Sequence, residues 1–347
     1  MPFRHVPHPP KIRHVSSLGT QSGWKGDQIS ETDVCLVAPR NIFHQLLRDP
    51  EAIESSNAHD IKQNIETHLE VGPGFCIFRG IDLQGLNEVE ISTAIQRFSR
   101  LVGTALSQTK HGNFLGRVED IGFNLKNRLA RGHQTNAPLL FHSDRCDRTV
   151  LLCVRSASSG GENQIVSSIE LAKDCLSGRP DLARRLFEPF TWDNRGEQRP
   201  GVPLFTHHPV LSQEGEVFVA RYLRRFIEDA QTIAGVTPLD EVGRQALDFL
   251  DELLAQKGRA FDFKLGCGDI VIINNLVTLH ARKSFQDNGA EGERRLLLRV
   301  WLSHSSSRPL PDSYGELFGA TEPGGVRGGV WPLDRVFDIN ADLIEII

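Results

Sequence analysis

Four apolar runs of strand length constrain this chain more than any other feature. They are Thr149-Val150-Leu151-Leu152-Cys153-Val154, Val217-Phe218-Val219-Ala220, Ile270-Val271-Ile272-Ile273 and Leu296-Leu297-Leu298-Arg299-Val300-Trp301-Leu302. Gly74-Phe75-Cys76-Ile77-Phe78-Arg79-Gly80 adds an earlier short strand bounded by glycines, and Gly268-Asp269 reads as the turn that feeds Ile270. A doubly wound parallel sheet needs regular strand–helix alternation, which these runs lack. Strands gathered late in the chain and interrupted by helices and turn-rich loops point to a sandwich or jelly roll with helical insertions.

Two helices stand out by period. Between Leu86 and Leu101, Ile91, Ile95, Phe98 and Leu101 recur at the spacing of one buried helix face. A second helix is expected to start at Thr237 as N-cap, with Pro238 in its first turn and Asp240 near the positive end of the dipole. Its core face would run through Val242, Leu247, Leu250 and Leu254, with Gly258 as the stop. Residues 1–30, rich in Pro, Gly and Ser, read as an N-terminal arm; residues 31–347 read as a single domain with a C-terminal extension. The stretch 106–141 mixes glycines and charges without a period, the composition of a lid or binding loop as much as of a plain surface loop.

Composition excludes several classes. With 347 residues and 39% hydrophobic content, one large core is affordable, and a net charge of -5 without a long basic run argues against a nucleic-acid partner. The six cysteines form no Cys-x-x-Cys pair, which fits a reducing compartment rather than a zinc knuckle or disulfide framework. No apolar run approaches the roughly 18 residues of a membrane span. The opening segment is basic but carries four prolines in its first ten residues, which opposes the amphipathic helix of a targeting peptide. The protein is read as cytoplasmic, and nothing in the sequence speaks against a homo-oligomer.

The chemistry begins at Phe141-His142-Ser143-Asp144. In a strand, residues two apart share a face, so His142 and Asp144 would project together while Ser143 turns away. One imidazole and one carboxylate are two-thirds of the facial triad of non-haem iron. Alone this tripeptide is a weak signal. The third ligand must come from a distant strand, and His280, after the Ile270 strand and Asn274-Asn275, is the candidate. Beyond it, Arg295, Leu297 and Arg299 alternate onto one face. Two guanidiniums turned into a barrel interior need anionic partners. A dicarboxylate cosubstrate is one answer, since the guanidinium fork matches a carboxylate bidentately; structural pairing with core acids is the other.

These pieces, in their order and spacing, resemble the TauD/TfdA family of Fe(II)/2-oxoglutarate-dependent dioxygenases, close to its clavaminate synthase-like branch. The resemblance runs from about Gly72 to Leu302. It is carried by Gly72-Pro73-Gly74-Phe75, by Thr135-Asn136-Ala137-Pro138-Leu139-Leu140-Phe141-His142-Ser143-Asp144 and by Ser159-Gly160-Gly161-Glu162-Asn163. Gly268-Asp269-Ile270, Asn274-Asn275 with His280, and the Arg295/Arg299 pair complete it. It implies a mainly β double-stranded β-helix (jelly roll, cupin-like) and a dioxygenase that consumes O2 and 2-oxoglutarate and releases succinate and CO2. It also implies His142, Asp144 and His280 as Fe(II) ligands and Arg295 as the anchor of the distal carboxylate of 2-oxoglutarate. Arg299 would hold the cosubstrate or an acidic group of the substrate. Where the family often has Thr or Ser after the Gly-Gly pair, this sequence has Asn163, whose amide can donate instead. Related halogenases replace the carboxylate at Asp144, so its presence favours hydroxylation, desaturation or ring closure.

Other constellations fail. His207 and His208 are adjacent and would face opposite ways in a strand. Asp147 stands at an odd offset from His142, and no Gly-x-Ser-x-Gly or Walker A is present. Asn136, Arg145, Arg221 and Tyr222, together with Arg299, lie in stretches that could line a pocket mouth, and their charges suit a small anionic or zwitterionic substrate such as an amino acid. Two rivals stand beside this reading: a jelly-roll binding protein without turnover, and a jelly-roll metalloenzyme that does not use 2-oxoglutarate. Arg295 and Arg299 speak against the second.

Overall fold

The structure, a computed structural model, describes residues 22–122, 132–287, 289 and 292–331. Its frame is two facing sheets. The larger has seven strands: β1 (Cys35–Leu36), β2 (Phe75–Phe78), β3 (Thr104–Leu106), β4 (Leu115–Val118), β6 (Arg148–Arg155), β14 (Ile270–Asn274) and β17 (Leu296–Ser303). They run in the order β1-β2-β14-β6-β17-β3, with β4 also on β17. The smaller sheet is ordered β13 (Phe261–Phe263), β8 (Asn163–Ser167), β15 (Thr278–Arg282), β5 (Leu139–His142). Three short antiparallel pairs complete the β structure. They are β7 (Ser159–Gly160) with β16 (Phe285–Gln286), β9 (Phe190–Asp193) with β10 (Phe205–His208), and β11 (Leu211–Glu214) with β12 (Val217–Ala220).

The apolar runs are uninterrupted because the larger sheet is covered on both faces. Alternate residues of one set (Cys76, Phe78, Val150, Leu152, Ile270, Ile272, Leu296, Leu298, Val300) pack outward against helices. Those helices are α2 (Ile42–Arg48), α3 (Ser56–Glu66) and α4 (Glu88–Ser99), which follow the single turn α1 (Glu31–Val34). The intervening set (Phe75, Ile77, Leu151, Cys153, Val271, Ile273, Leu297) packs inward against Ile165, Phe261 and Phe263 of the smaller sheet. That sheet turns Val166 and Leu279 to a second helical layer of α5 (Ser168–Gly178), α6 (Pro180–Leu186) and α8 (Glu241–Leu254), with α7 (Arg224–Ala230) beside it. The jelly roll expected from the sequence is therefore a sandwich with a helical layer on each side. No helix among the described residues is long and apolar enough to cross a membrane.

Several boundaries differ from the sequence reading. The helix expected from Thr237 begins one turn later: Asp240 is the N-cap, its carboxylate accepting from the Gly243 N–H at 2.6 Å. Val242 is 49% exposed, and the buried face runs through Ala246, Leu247, Leu250, Leu253 and Leu254. The segment 106–141 is not one loop, because β4 pairs with β17 within it and β5 closes it; residues 123–131 lie outside the described residues. Of the N-terminal arm, residues 22–30 are described. Trp24 is buried in the inter-sheet cluster and donates Nε1–H to the Pro73 carbonyl at 2.9 Å. The Gly268-Asp269 turn holds as read: Gly268 has φ +82°, and a Cβ there would lie 2.0 Å from the Ile81 carbonyl oxygen.

The C-terminal extension, including α9 (Gly315–Phe318), is tied down by charge. Arg327 donates to Asp147 at 2.9 Å with both side chains buried, and His304 Nε2 lies 2.9 Å from Glu66 on α3. Arg148, on β6, forks across Glu66 at 2.7 Å and reaches Glu70 at 2.9 Å. Burial by itself would raise the Glu66 pKa. The hydrogen bonds from Arg148 and His304 outweigh it and bring the value down from 4.5 to about 2. A carboxyl depressed on folding stabilises above its unfolded pKa and loses that contribution as pH falls through its folded pKa. Glu66→Gln should therefore lower the melting temperature near pH 7 and flatten the loss of stability between pH 4.5 and about 2, as followed by thermal unfolding across pH.

Candidate active site

Inside the sandwich, β5 and β15 are antiparallel neighbours, and His142 is paired directly with His280 across the ladder. Directly opposed residues share a face, so both imidazoles enter the space between the sheets. Their ring centroids are 4.2 Å apart, and His280 Nε2 lies 3.9 Å from Asp144 Oδ2. One ligand atom from each of His142, Asp144 and His280 falls within 4.8 Å of the others. Strand alternation does not place the carboxylate, however: β5 ends at His142, and Asp144 lies in the turn beyond it. Tertiary hydrogen bonds hold it. The Asp144 N–H donates to Asn275 Oδ1 at 3.1 Å. Its Oδ2 accepts from Thr149 Oγ1 at 2.9 Å and Trp301 Nε1 at 2.8 Å.

Electrostatics leave the three groups in ligating form. Burial would raise the Asp144 pKa, but Arg299 and the two imidazoles outweigh it and keep the carboxyl well below its usual range. Burial lowers His142, and burial with the neighbouring His142 pushes His280 down to about 3, so both rings are neutral. His142 Nδ1 sits 2.8 Å from the Leu140 carbonyl, which fixes its proton there and leaves Nε2 for a metal. His280 Nδ1 is buried without a partner. Two neutral nitrogens and a carboxylate on one side of a buried point fit an iron centre with open positions.

Among the described residues a second trio, Glu66, Glu70 and His304, has the spacing of metal ligands. Arg148 and Arg308 already bridge its carboxylates, so it is an ion-pair network. Asp147, paired with Arg327, belongs to neither trio, although its carboxylate accepts the His304 backbone N–H at 3.0 Å.

A cavity of about 230 Å³ opens on His142, Asp144 and Arg299. A cavity of that order has room for several waters or one small organic molecule. Arg145 and Arg221 are in its wall, with Leu140, Phe141, Leu223, Phe226, Trp301 and Leu317 as apolar lining. Arg299, on β17, lies 3.5 Å from Asp144 Oδ1 and donates Nε–H to Gln108 at 2.8 Å. Tyr222 and Asn136 do not belong with them. The Tyr222 ring is buried in the helical layer, its hydroxyl 2.6 Å from Asp251, while Asn136 is exposed outside the cavity wall.

Arg295, just before β17, is 3% exposed, and among the described residues Nη1 has no hydrogen-bond partner. Its guanidinium lies 4.9 Å from the Phe285 ring centroid, and a Cβ on Gly161 would come within 3.5 Å of its Nε. Burial lowers its pKa to about 10, which leaves it charged. Arg282, which the sequence reading passed over, stands 4.7 Å over the same Phe285 ring and opposite Asn163 in the β15–β8 ladder. It donates to the carbonyls of Thr135 and Ala137 while Nε and Nη1 remain unpartnered. Also missed were Gln108, Trp301 and Trp192, and His208 was weighed only as a metal partner of His207. Their only sequence signal was a polar or aromatic residue within or beside a strand.

The family model described as "Taurine catabolism dioxygenase TauD, TfdA family" matches residues 46–301. FR-33289 synthase of Streptomyces rubellomurinus (strain ATCC 31215) is 29% identical over 268 residues, covering 76% of this chain and 79% of that protein. The taurine hydroxylase-like protein SAT17 of Stachybotrys chartarum (strain CBS 109288 / IBT 7711) is 27% identical over 314 residues, covering 83% and 80%. Among solved structures, asparagine oxygenase in complex with Fe(II), 2S,3S-3-hydroxyasparagine and succinate superposes with TM-score 0.59 at 16% identity, over 81% of this chain and 97% of that one. The non-haem iron oxygenase OrfP in complex with Fe and alpha-ketoglutaric acid gives 0.55 at 18% identity, over 78% and 92%. With a family match over most of its length, the chain belongs to the TauD/TfdA family and is an Fe(II)/2-oxoglutarate-dependent dioxygenase.

Proposed function

We propose that this dioxygenase hydroxylates a C–H bond of a small anionic or zwitterionic molecule of amino-acid size, with His142, Asp144 and His280 holding the iron. The observation that carries the assignment is the convergence of those three side chains, 138 residues apart in sequence between first and last (280 − 142), on one buried point beside a cavity. When bound, iron, 2-oxoglutarate and O2 supply the oxidising power, and 2-oxoglutarate leaves as succinate and CO2. The chain's own part is to bind, orient and keep water out. Arg295, buried with an unpartnered Nη1, is assigned to the distal carboxylate of 2-oxoglutarate, and Asn163, on β8, to the same end of the molecule. Arg299, Arg145 and Arg221 are assigned to the substrate side, since all three line the cavity. The apolar wall from Leu140 to Leu317 would exclude solvent from the reacting carbon. Relatives point the same way, as asparagine oxygenase and OrfP are described with hydroxylated amino acids. Six unpaired cysteines support a cytoplasmic setting.

Three measurements test these assignments. Adding Fe(II) and 2-oxoglutarate without oxygen should give the weak visible charge-transfer band of a chelated keto acid, and His280→Ala should abolish it while the protein stays folded by circular dichroism. Arg295→Ala should keep the band but require at least tenfold more 2-oxoglutarate to reach it, as expected when a buried charge-assisted contact is removed. Unchanged 2-oxoglutarate affinity would remove Arg295 from the site. Trp301→Phe, which deletes one hydrogen bond to Asp144 Oδ2, should weaken Fe(II) binding by about 10- to 100-fold in a chelator competition.

A further inference from the structure

One part of the cavity wall has unmet hydrogen-bonding capacity. Arg221 and His208 are 5% and 0% exposed and both lie against Trp192. The imidazole stacks on the indole at 4.4 Å and 19°, and the Arg221 guanidinium carbon lies 5.7 Å from the same ring. The other arginines of the wall have carboxylates: Arg145 has Glu197, Arg195 and Arg225 share Asp229, Arg224 has Glu228 and Asp251, and Arg299 has Asp144. Arg221 has no carboxylate in ion-pair contact among the described residues. Its Nη1 donates to the Asp144 backbone carbonyl at 3.3 Å, and Nε has no partner.

His208 is complementary. Its Nδ1 lies 3.3 Å from the Pro209 carbonyl, which can only accept, so the ring proton is on Nδ1. Nε2 then carries a lone pair, and it too is buried without a partner. Burial and the nearby Arg221 charge keep this ring neutral. A buried unpaired guanidinium and a buried unpaired acceptor, side by side in a cavity wall, are costly until something supplies an anion to one and a donor to the other. The acids of the wall are already engaged: Asp193 accepts from the Arg195 N–H, and Glu197 faces Arg145.

Resting on the reading of this cavity as the substrate site, we propose that Arg221 and His208 dock the substrate's headgroup, and that this headgroup is an oxyanion next to a hydrogen-bond donor. The guanidinium donates to the oxyanion, and the imidazole Nε2 accepts from the donor. An α-ammonio carboxylate carries both halves, and so does a monoprotonated phosphonate or phosphate. A sulfonate or a simple carboxylate carries only the first. Because Arg221 is hydrogen-bonded to the backbone of Asp144, the headgroup docks beside the metal-binding turn and the oxidised carbon lies within a few bonds of it.

The test is calorimetric titration of oxygen-free protein loaded with Fe(II) and 2-oxoglutarate, in slightly acidic buffer, with the charge-transfer band recorded on the same samples. The probes are L-alanine, methylphosphonate, methanesulfonate and acetate. Either L-alanine or methylphosphonate should bind at least fivefold more tightly than the last two, and which of them does so identifies the source of the headgroup. Arg221→Gln should weaken that probe about tenfold or more while the band remains. His208→Phe, which keeps an aromatic ring on Trp192, should reduce the favoured probe to the affinity of its donor-free counterpart. A normal band with no probe bound, or full affinity in Arg221→Gln, overturns the proposal. Loss of the band together with the probe in Arg221→Gln also overturns it, because the residue then acts by holding the Asp144 turn. Equal affinity for all four probes overturns the role given to His208. A missing band in the unmodified protein would strike the iron assignment first and this proposal with it, and the band itself tells the two failures apart.

Discussion

The carboxylate of Asp144 is the point on which the two sheets agree. The imidazoles beside it come from the smaller sheet, His142 on β5 and His280 on β15. Its hydrogen-bond donors and its counter-charge come from the larger one: Thr149 on β6, Trp301 and Arg299 on β17. A ligand in a turn would otherwise be free to rotate away from its neighbours. Here every rotation breaks a bond to the opposite sheet, so the spacing of the sandwich also sets the spacing of His142, Asp144 and His280.

The interior around that point is unusually cationic. Arg221, Arg282, Arg295 and Arg299 are all less than 10% exposed, and three of them keep unpartnered nitrogens. Buried guanidiniums without counter-ions work against folding stability. In the function proposed above, their counter-ions are the carboxylates of 2-oxoglutarate and the anionic group of the substrate. Arg282 and Arg295 both lie over the Phe285 ring. Arg221 lies between 5 and 6 Å from two aromatic rings, Trp192 at 5.7 Å and Phe318 at 5.8 Å. The aromatic faces lower the cost of holding these cations in the interior.

Away from the cavity, two groups of buried arginines face carboxylates of the chain itself. Arg327 with Asp147, and Arg148 with Glu66 and Glu70, fasten the C-terminal extension and α3 to the sheet. Those pairs use the same residue types as the site, but each guanidinium here has an acid of the chain within 3 Å.

The sequence alone determined the strands, because a residue run buried on both faces has no polar alternative, and β2, β6, β14 and β17 are legible in their composition. It also contained the ordered motif from Gly72 to Arg299, and so the family and the three converging residues. Helix ends were less legible: Asp240 replaced Thr237 as a cap because its side chain, and not that of Thr237, reaches a free N–H. Tertiary structure decided everything that depends on which face meets which. It turned Tyr222 into the helical layer and left Asn136 on the surface, although both neighbour cavity residues in sequence. It brought His208, Trp192 and Gln108 to the site from strands and loops with no motif of their own. It moved the placement of Asp144 from strand alternation to hydrogen bonds with residues up to 157 positions away. The reason is physical: local sequence sets backbone preference within a few residues, whereas a side chain's partners are set by which sheets pack together.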